Sequence, residues 1–344
     1  MSKKQRTLIR STNWIGDAVM SLPALRELRR LYPEDELVIL AKDWVADVFE
    51  EQGIADEILR FDSRQRSLRQ VGRLKGFDRA VLLQNAFEAA LLARLARIPE
   101  RYGYAVQHRG FLLTHSGKPR IKDLGRHQVY YYLDLLFQTG LSSINYLETP
   151  DLVPDIRLSP TKAGLRETAR LLEQNSAPPK RYRIGLNPGA YFGPAKRWMT
   201  DRYAALADRL IQELDAEVLI FGSAGELKIA EEIKGFMQET PRILTGKTTL
   251  PGLIGLISEC NLFITNDSGP MHRAAALSTP MIAIFGSTDE IATGPFSDRA
   301  QVIHKHVECS PCLRRTCPID LRCFTRISVE EVFAAARSTL EEVS

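Results

Sequence analysis

The stretch Asn266-Asp267-Ser268-Gly269-Pro270-Met271-His272 gathers a carboxylate, a hydroxyl, a glycine and an imidazole. It follows the apolar run Leu262-Phe263-Ile264 and precedes the small-residue run Ala274 to Leu277. That order reads as a buried strand, a tight turn and a helix start. Pro270 falls in the first helical turn, where a missing N–H is tolerated. A helix N-terminus presents unpaired backbone N–H groups and a partial positive charge, which suits a phosphate. Asp267, Ser268 and Gly269 therefore line a candidate anion site, and His272 adds a donor. The competing reading makes Asp267 or Ser268 an ordinary helix cap.

Two further loops follow apolar runs in the same half. Asn187-Pro188-Gly189-Ala190-Tyr191-Phe192-Gly193-Pro194-Ala195-Lys196-Arg197-Trp198 carries two glycines, two prolines and adjacent cations. Gly189 and Ala190 lie at its start, and Lys196 and Arg197 supply charged donors for phosphate oxygens, or else they are solvated turn charges. Phe221-Gly222-Ser223-Ala224-Gly225-Glu226 opens a helix after a strand. There Glu226 is placed for ribose hydroxyls or is a first-turn acid favoured by the helix dipole. Gly246-Lys247-Thr248 resembles the end of a P-loop, but Pro241 stands where its first glycine belongs. No Gly-x-Gly-x-x-Gly and no Asp-x-Asp occurs, so neither a dinucleotide fingerprint nor a carboxylate pair holding a metal against a diphosphate is evident.

The elements that must position these loops alternate. Strand-like Thr7 to Arg10, Leu37 to Leu40, Glu57 to Leu59, Ala80 to Leu83 and Arg101 to Tyr104 are separated by helical patterns. Those patterns include Leu22, Leu25, Leu28 and Leu31 at spacing three, Lys42 to Gln52, Ala86 to Leu95 and Arg126 to Gln138. Leu147 to Pro160 has three prolines and no period, and reads as a linker. Alternation then resumes to a closing helix from Val329 to Leu340. The expectation is α/β: two parallel-sheet halves with a cleft between them and ligands at the carboxyl ends of the strands.

Composition narrows the class. The 344 residues are 44% apolar and 26% charged with a net charge of +4, which fits a globular protein and argues against a dedicated nucleic-acid binder. No run approaches the ~18 apolar residues of a membrane span, and the basic start lacks an apolar h-region. A cytoplasmic protein is expected, with peripheral membrane contact open. Of five cysteines, Cys260 reads as a core residue. Cys309, Cys312, Cys317 and Cys323 lie close together. They are either a structural zinc or iron site or reduced thiols in a packed loop.

Taken together, Asn13-Trp14-Ile15-Gly16-Asp17-Ala18-Val19-Met20-Ser21-Leu22-Pro23-Ala24, Pro188 to Trp198, Asn266 to His272 and the cysteine-bearing tail resemble the bacterial ADP-heptose:lipopolysaccharide heptosyltransferases, glycosyltransferase family 9. The Trp14 and Gly-Pro-Ala-Lys-Arg-Trp forms are most similar to the heptosyltransferase II branch. The resemblance implies a GT-B fold of two Rossmann-like domains. Residues 1–155 would bind acceptor, 156–327 would bind ADP-heptose, and a helix in 328–344 would cross back to the first domain. It implies inverting transfer without a catalytic metal to the first heptose on Kdo-lipid A, at the cytoplasmic face of the inner membrane. No nucleic acid is involved.

A departing diphosphate then needs fixed donors, and Lys196 with the helix start at Ser268 to His272 would supply them, with Gly189, Ala190, Glu226 and Thr248 completing the donor site. Asp17 would be the base that takes the acceptor proton, or else a plain N-cap. Asp267 would hold the heptose or orient the donor. Asn13, Arg60, Arg64 and Arg66 would meet the acceptor's charges. Arg60 begins a run with Arg64, Arg66, Arg69, Arg73, Lys75 and Arg79, and Arg109, Lys118, Arg120 and Lys122 form another. Each run is an acceptor or membrane patch, or a solvated face. Heptosyltransferase I, a nucleotide-sugar epimerase on the same fold and a non-enzymatic nucleotide or metal sensor are the alternatives.

Overall fold

Strand and helix alternate twice along the chain, and each round builds its own sheet. The computed structural model describes residues 4–61, 71–173 and 180–343. The first unit, Met1–Arg157, holds β1 (Arg6–Arg10), β2 (Glu36–Lys42), β3 (Glu57–Phe61), β4 (Arg79–Leu82), β5 (Glu100–Tyr104) and β6 (His115–Gly117). They pair in the order β3-β2-β1-β4-β5-β6, all parallel. The second unit, Leu158–Ser344, holds β7 (Tyr182–Asn187), β8 (Ala216–Ile220), β9 (Arg242–Ile243), β10 (Leu262–Asn266), β11 (Met281–Phe285) and β12 (Ala300–His304). Their order is β12-β11-β10-β7-β8-β9, again all parallel. Counted from its own first strand, the second sheet repeats the order of the first. Both have the doubly wound arrangement in which strand order reverses at one point.

The central strands read as unbroken apolar runs because helices cover both faces of a parallel sheet. Every residue of β4, β10 and β11 is buried. The division between units falls inside the proline-bearing stretch read as a linker. Three edge strands escape sequence patterning. β6 and β9 have only three and two residues, and β12 (Ala-Gln-Val-Ile-His) lacks a clean apolar run and has one buried residue. The helix expected over Lys42 to Gln52 shrinks to Asp43–Ala46. Beyond it the chain turns so that Asp47 and Glu50 both reach Arg60 on β3.

The last helix, Val329–Val343, was expected to cross to the first domain. Within the second unit it packs into the core. Val332, Phe333, Ala336 and Leu340 are buried in that core with Leu206, Leu210 and Phe324, and Glu330 pairs with Arg209 at 2.6 Å.

Candidate active site

In each sheet the strand order reverses between two neighbours, β1 and β4 in the first unit, β7 and β10 in the second. Loops leaving the two carboxyl ends there diverge to opposite faces and leave a crevice. Asp17 lies just beyond β1, Lys196 beyond β7 and Asp267 beyond β10.

In the second unit, Asn266 ends β10 and binds the opposite loop. Its Oδ1 accepts from the Trp198 N–H at 3.1 Å and from the Tyr203 hydroxyl at 3.1 Å, and its Nδ2 donates to the Pro188 carbonyl at 2.7 Å. This holds Lys196 over the next residue. Lys196 Nζ lies 2.5 Å from Asp267 Oδ2, and the same oxygen accepts from Thr288 Oγ1 at 2.6 Å. Asp267 is 6% exposed. Lys196 Nζ also sits 5.0 Å from the Phe192 ring centroid. Lys196 is thus held by a carboxylate rather than reaching out alone, but an ammonium has three donors and one pairing leaves two. Ser268 is the N-cap of the helix Gly269–Ala276, yet its hydroxyl does not cap. It turns inward to Asn187 Nδ2 and Thr265 Oγ1, both at 3.2 Å. Pro270 has no N–H and the Met271 N–H donates to the Ser268 carbonyl at 3.1 Å, which leaves the Gly269 N–H of the first turn for an anion, and open space surrounds Gly269. His272 is buried in that turn.

The post-β8 loop abuts this group. Glu226 Oε2 accepts from the Ser223 N–H and hydroxyl, both at 2.8 Å, completing a capping box. Its other oxygen packs against Gly189, where a Cβ would stand 2.0 Å from it. Glu226 therefore has the capping role that was the alternative to ribose binding, while still touching the Lys196 loop. Ala190 is buried, and its carbonyl accepts from Arg197 at 3.0 Å. Thr248 follows β9, two strands from β7, or about 10 Å at the usual strand spacing. It lines a shallow cavity of about 530 Å³ with Arg166, Arg170 and Lys247.

In the first unit, Asp17 occupies the first turn of the helix Ile15–Met20, whose N-cap is Trp14, so Asp17 is not the cap. Its Oδ1 accepts from the Tyr132 hydroxyl at 3.2 Å. Burial raises the Asp17 carboxyl above its ordinary 3.8, and the Tyr132 hydrogen bond opposes the rise. Tyr132 belongs to the helix Val129–Gln138. Its neighbour Tyr131 accepts through its hydroxyl from Asn85 Nδ2 at 2.6 Å, on the loop after β4. The sequence shows only three consecutive tyrosines there and nothing of this bridge.

Asn13 Oδ1 accepts from Arg10 at 3.1 Å. Arg10 is buried over the Phe61 ring, and burial pulls its guanidinium down to about 10. Among the described residues of the expected cationic run, Arg60 and Arg79 pair with acids. Arg60 bonds Asp47 and Glu50, each at 2.5 Å, because a strand-end guanidinium lies between two carboxylates of the preceding turn. Arg64 and Arg66 lie outside the described residues, as does Arg69. Arg109 is fully buried and donates to the carbonyls of Tyr104, Gln84 and Ala86. Arg120 pairs with buried Asp134 at 2.5 Å.

All the cysteines are free thiols. Cys309, Cys312, Cys317 and Cys323 line one small recess, but among the described residues their sulfurs do not form a shared ligand set. Burial, with Cys309 and Cys317 nearby, pushes the Cys323 thiol up. The cysteine segment also clamps the Lys196 loop. The Arg315 carbonyl accepts from the Ala195 N–H at 3.1 Å, and Arg315 Nε donates to the Phe192 carbonyl at 2.8 Å.

Two doubly wound units with loops of this kind at their reversal points are the GT-B arrangement, and residues 65–322 match the description "Glycosyltransferase family 9 (heptosyltransferase)". The chain belongs to that family. It is 33% identical over 311 residues to lipopolysaccharide heptosyltransferase 2 of Salmonella typhimurium, covering 87% of each chain. The solved structure of E. coli ADP-heptose lps heptosyltransferase II superposes with a TM-score of 0.83 at 29% identity, over 98% of this chain and 99% of that one. A family 9 glycosyltransferase from Veillonella parvula shares the fold, with a TM-score of 0.84 at 23% identity over 99% of both chains. The chain is a glycosyltransferase of this family, and both units of its fold are those of its relatives.

Proposed function

We propose that this enzyme transfers L-glycero-D-manno-heptose, with inversion, from ADP-heptose to the first heptose of heptosyl-Kdo2-lipid A. The observation that carries the reading is the lysine held against the start of the helix Gly269–Ala276 by Asp267. As the bond from the sugar to the diphosphate lengthens, negative charge builds on the departing phosphate. Lys196 and the helix N-terminus receive that charge as fixed donors, which need no reorganisation at the moment of reaction. Asp267 orients Lys196 and is close enough to its donors to bind heptose hydroxyls. The Gly189, Ala190 and Glu226 surface and the Thr248 cavity extend the donor site along the sheet edge.

Asp17 takes the proton of the acceptor hydroxyl as that oxygen attacks the anomeric carbon. Burial raises its carboxyl and so makes the carboxylate a stronger proton acceptor, which suits a general base. The acceptor is a membrane lipid. No described helix is long and apolar enough to cross a membrane. The proposed setting is the cytoplasmic face of the inner membrane, with peripheral contact.

The test is ADP release from ADP-heptose with defined acceptors, wild type against Asp17→Asn. The variant should lose roughly 10²–10⁴ in kcat with near-normal ADP-heptose binding. Equal turnover would remove Asp17 from its role. Transfer to Kdo2-lipid A but not to its heptosylated form would make the enzyme a heptosyltransferase I. A new sugar formed from ADP-heptose with no acceptor present would make it an epimerase.

A further inference from the structure

We infer that Glu290, His304 and His306 form a structural site for a divalent cation of the zinc class, at the outer edge of the second sheet. His304 ends the edge strand β12, His306 follows two residues on, and Glu290 opens the short helix Glu290–Thr293 beyond β11. Each offers one ligand atom, and the three atoms lie within 4.8 Å of one another. His304 Nδ1 is 2.9 Å from Glu290 Oε2, and His306 Nε2 is 3.6 Å from Glu290 Oε1. Tetrahedral zinc with bonds of about 2.0–2.1 Å spaces its ligand atoms by roughly 3.3 Å. The two gaps fall on either side of that value.

The proton inventory is the second, independent argument. The Ser310 hydroxyl donates to the Gly286 carbonyl, so it can only accept from His304 Nε2, 3.0 Å away. In the neutral ring the proton therefore sits on Nε2, and Nδ1 carries the lone pair. That nitrogen is buried and makes no hydrogen bond, although a carboxylate oxygen stands close by. In the neutral ring two acceptors then face each other, an arrangement that a proton on Nδ1 or a metal cation between them relieves. The Ser310 contact is also the outer hydrogen bond that fixes the tautomer of a metal-binding imidazole. The His304 side chain is 4% exposed and that of His306 78%, so one ligand is held rigidly and the other leaves an open approach for the ion and a water.

Such a cation would act at a distance from the chemistry. It would tie the edge strand to the loop after β11. That loop carries Thr288, which donates to Asp267, the partner of Lys196. The cation touches no reacting atom and is separate from the four cysteines.

Untagged full-length protein is stripped with a chelator and titrated with Co²⁺, read by its visible absorption, and then with Zn²⁺ in competition. Wild type should bind one equivalent, and Zn²⁺ should raise its thermal midpoint. His306→Ala, a change at an exposed side chain, should keep the wild-type circular dichroism and bind at least about tenfold more weakly. Glu290→Gln should weaken binding likewise, while Cys309→Ser/Cys312→Ser should bind as wild type does. The site is disproved if wild type takes up no Co²⁺ at millimolar concentration or if His306→Ala binds as tightly as wild type. It is also disproved if the cysteine variant loses the metal while His306→Ala keeps it.

Discussion

Burial lifts the Asp17 carboxyl, and the Tyr132 hydroxyl holds it back. A base must be ionised to act, so the acid limb of the kcat profile should lie above the ordinary carboxylate value of 3.8. Tyr132→Phe removes the donor that favours the ionised form and should move that limb further up. One hydrogen bond is worth about 1 kcal/mol and one pKa unit 1.36 kcal/mol, so the move is roughly half a unit to one unit. A downward move, or none, would separate Tyr132 from Asp17. The same raised pKa has a cost in stability. The group favours folding at low pH, and that contribution fades as pH climbs from 3.8 through the raised native value. The partners of cations are set by the fold at this scale. Arg60 and Arg109 are plain cations in the sequence, but one lies between two carboxylates and the other is buried among carbonyls. A run of arginines says nothing about which acids the fold brings to it.

The Lys196 loop is set by the elements around it. Asn266 holds it from β10, Glu226 packs beneath Gly189, and the Arg315 backbone closes on Gly193. Gly193 has φ +153°, and a Cβ there would stand 2.4 Å from the Arg315 carbonyl oxygen. Gly193→Ala must therefore displace either the loop or the cysteine segment, at a strain of about 1–3 kcal/mol. The expected result is a fall of roughly ten- to a hundredfold in kcat/KM with unchanged circular dichroism. Unaltered kinetics would show that the loop's position does not matter to Lys196. The loop itself was legible from its glycines, prolines and adjacent cations. The clamp was not, because Arg315 lies 120 or more residues away and acts partly through its backbone, which carries no side-chain signature.

At the scale of the molecule, two sheets of the same strand order each carry their own core. Phe333 of the last helix is buried in the second of these. Phe333→Ala should cost about 3–5 kcal/mol of that unit's stability. Trp198 reports it, since it is buried in the same core while Trp14 and Trp44 of the first unit are exposed. Urea unfolding followed by tryptophan fluorescence should show the Trp198 transition at lower urea in the variant. An unchanged midpoint would mean that the last helix adds little to the second core. Here too the pattern was half legible. The apolar stripe from Val329 onward predicted the helix, but its packing partner depended on contacts with Leu206, Leu210 and Phe324, far back and forward along the chain.

The sequence by itself determined the alternation of strand and helix, and with it two parallel sheets and the loops after β1, β7, β8 and β10 as places for chemistry. These are local properties, written in hydrophobic period and in glycine and proline. Only the tertiary structure decided which strands became neighbours. That choice set Lys196 beside Asp267 and Asp17 beside Tyr132, joined Arg60 to two acids, and brought His304 against Glu290. Pairing between distant residues is settled by burial and register across the whole unit, and no local pattern encodes it.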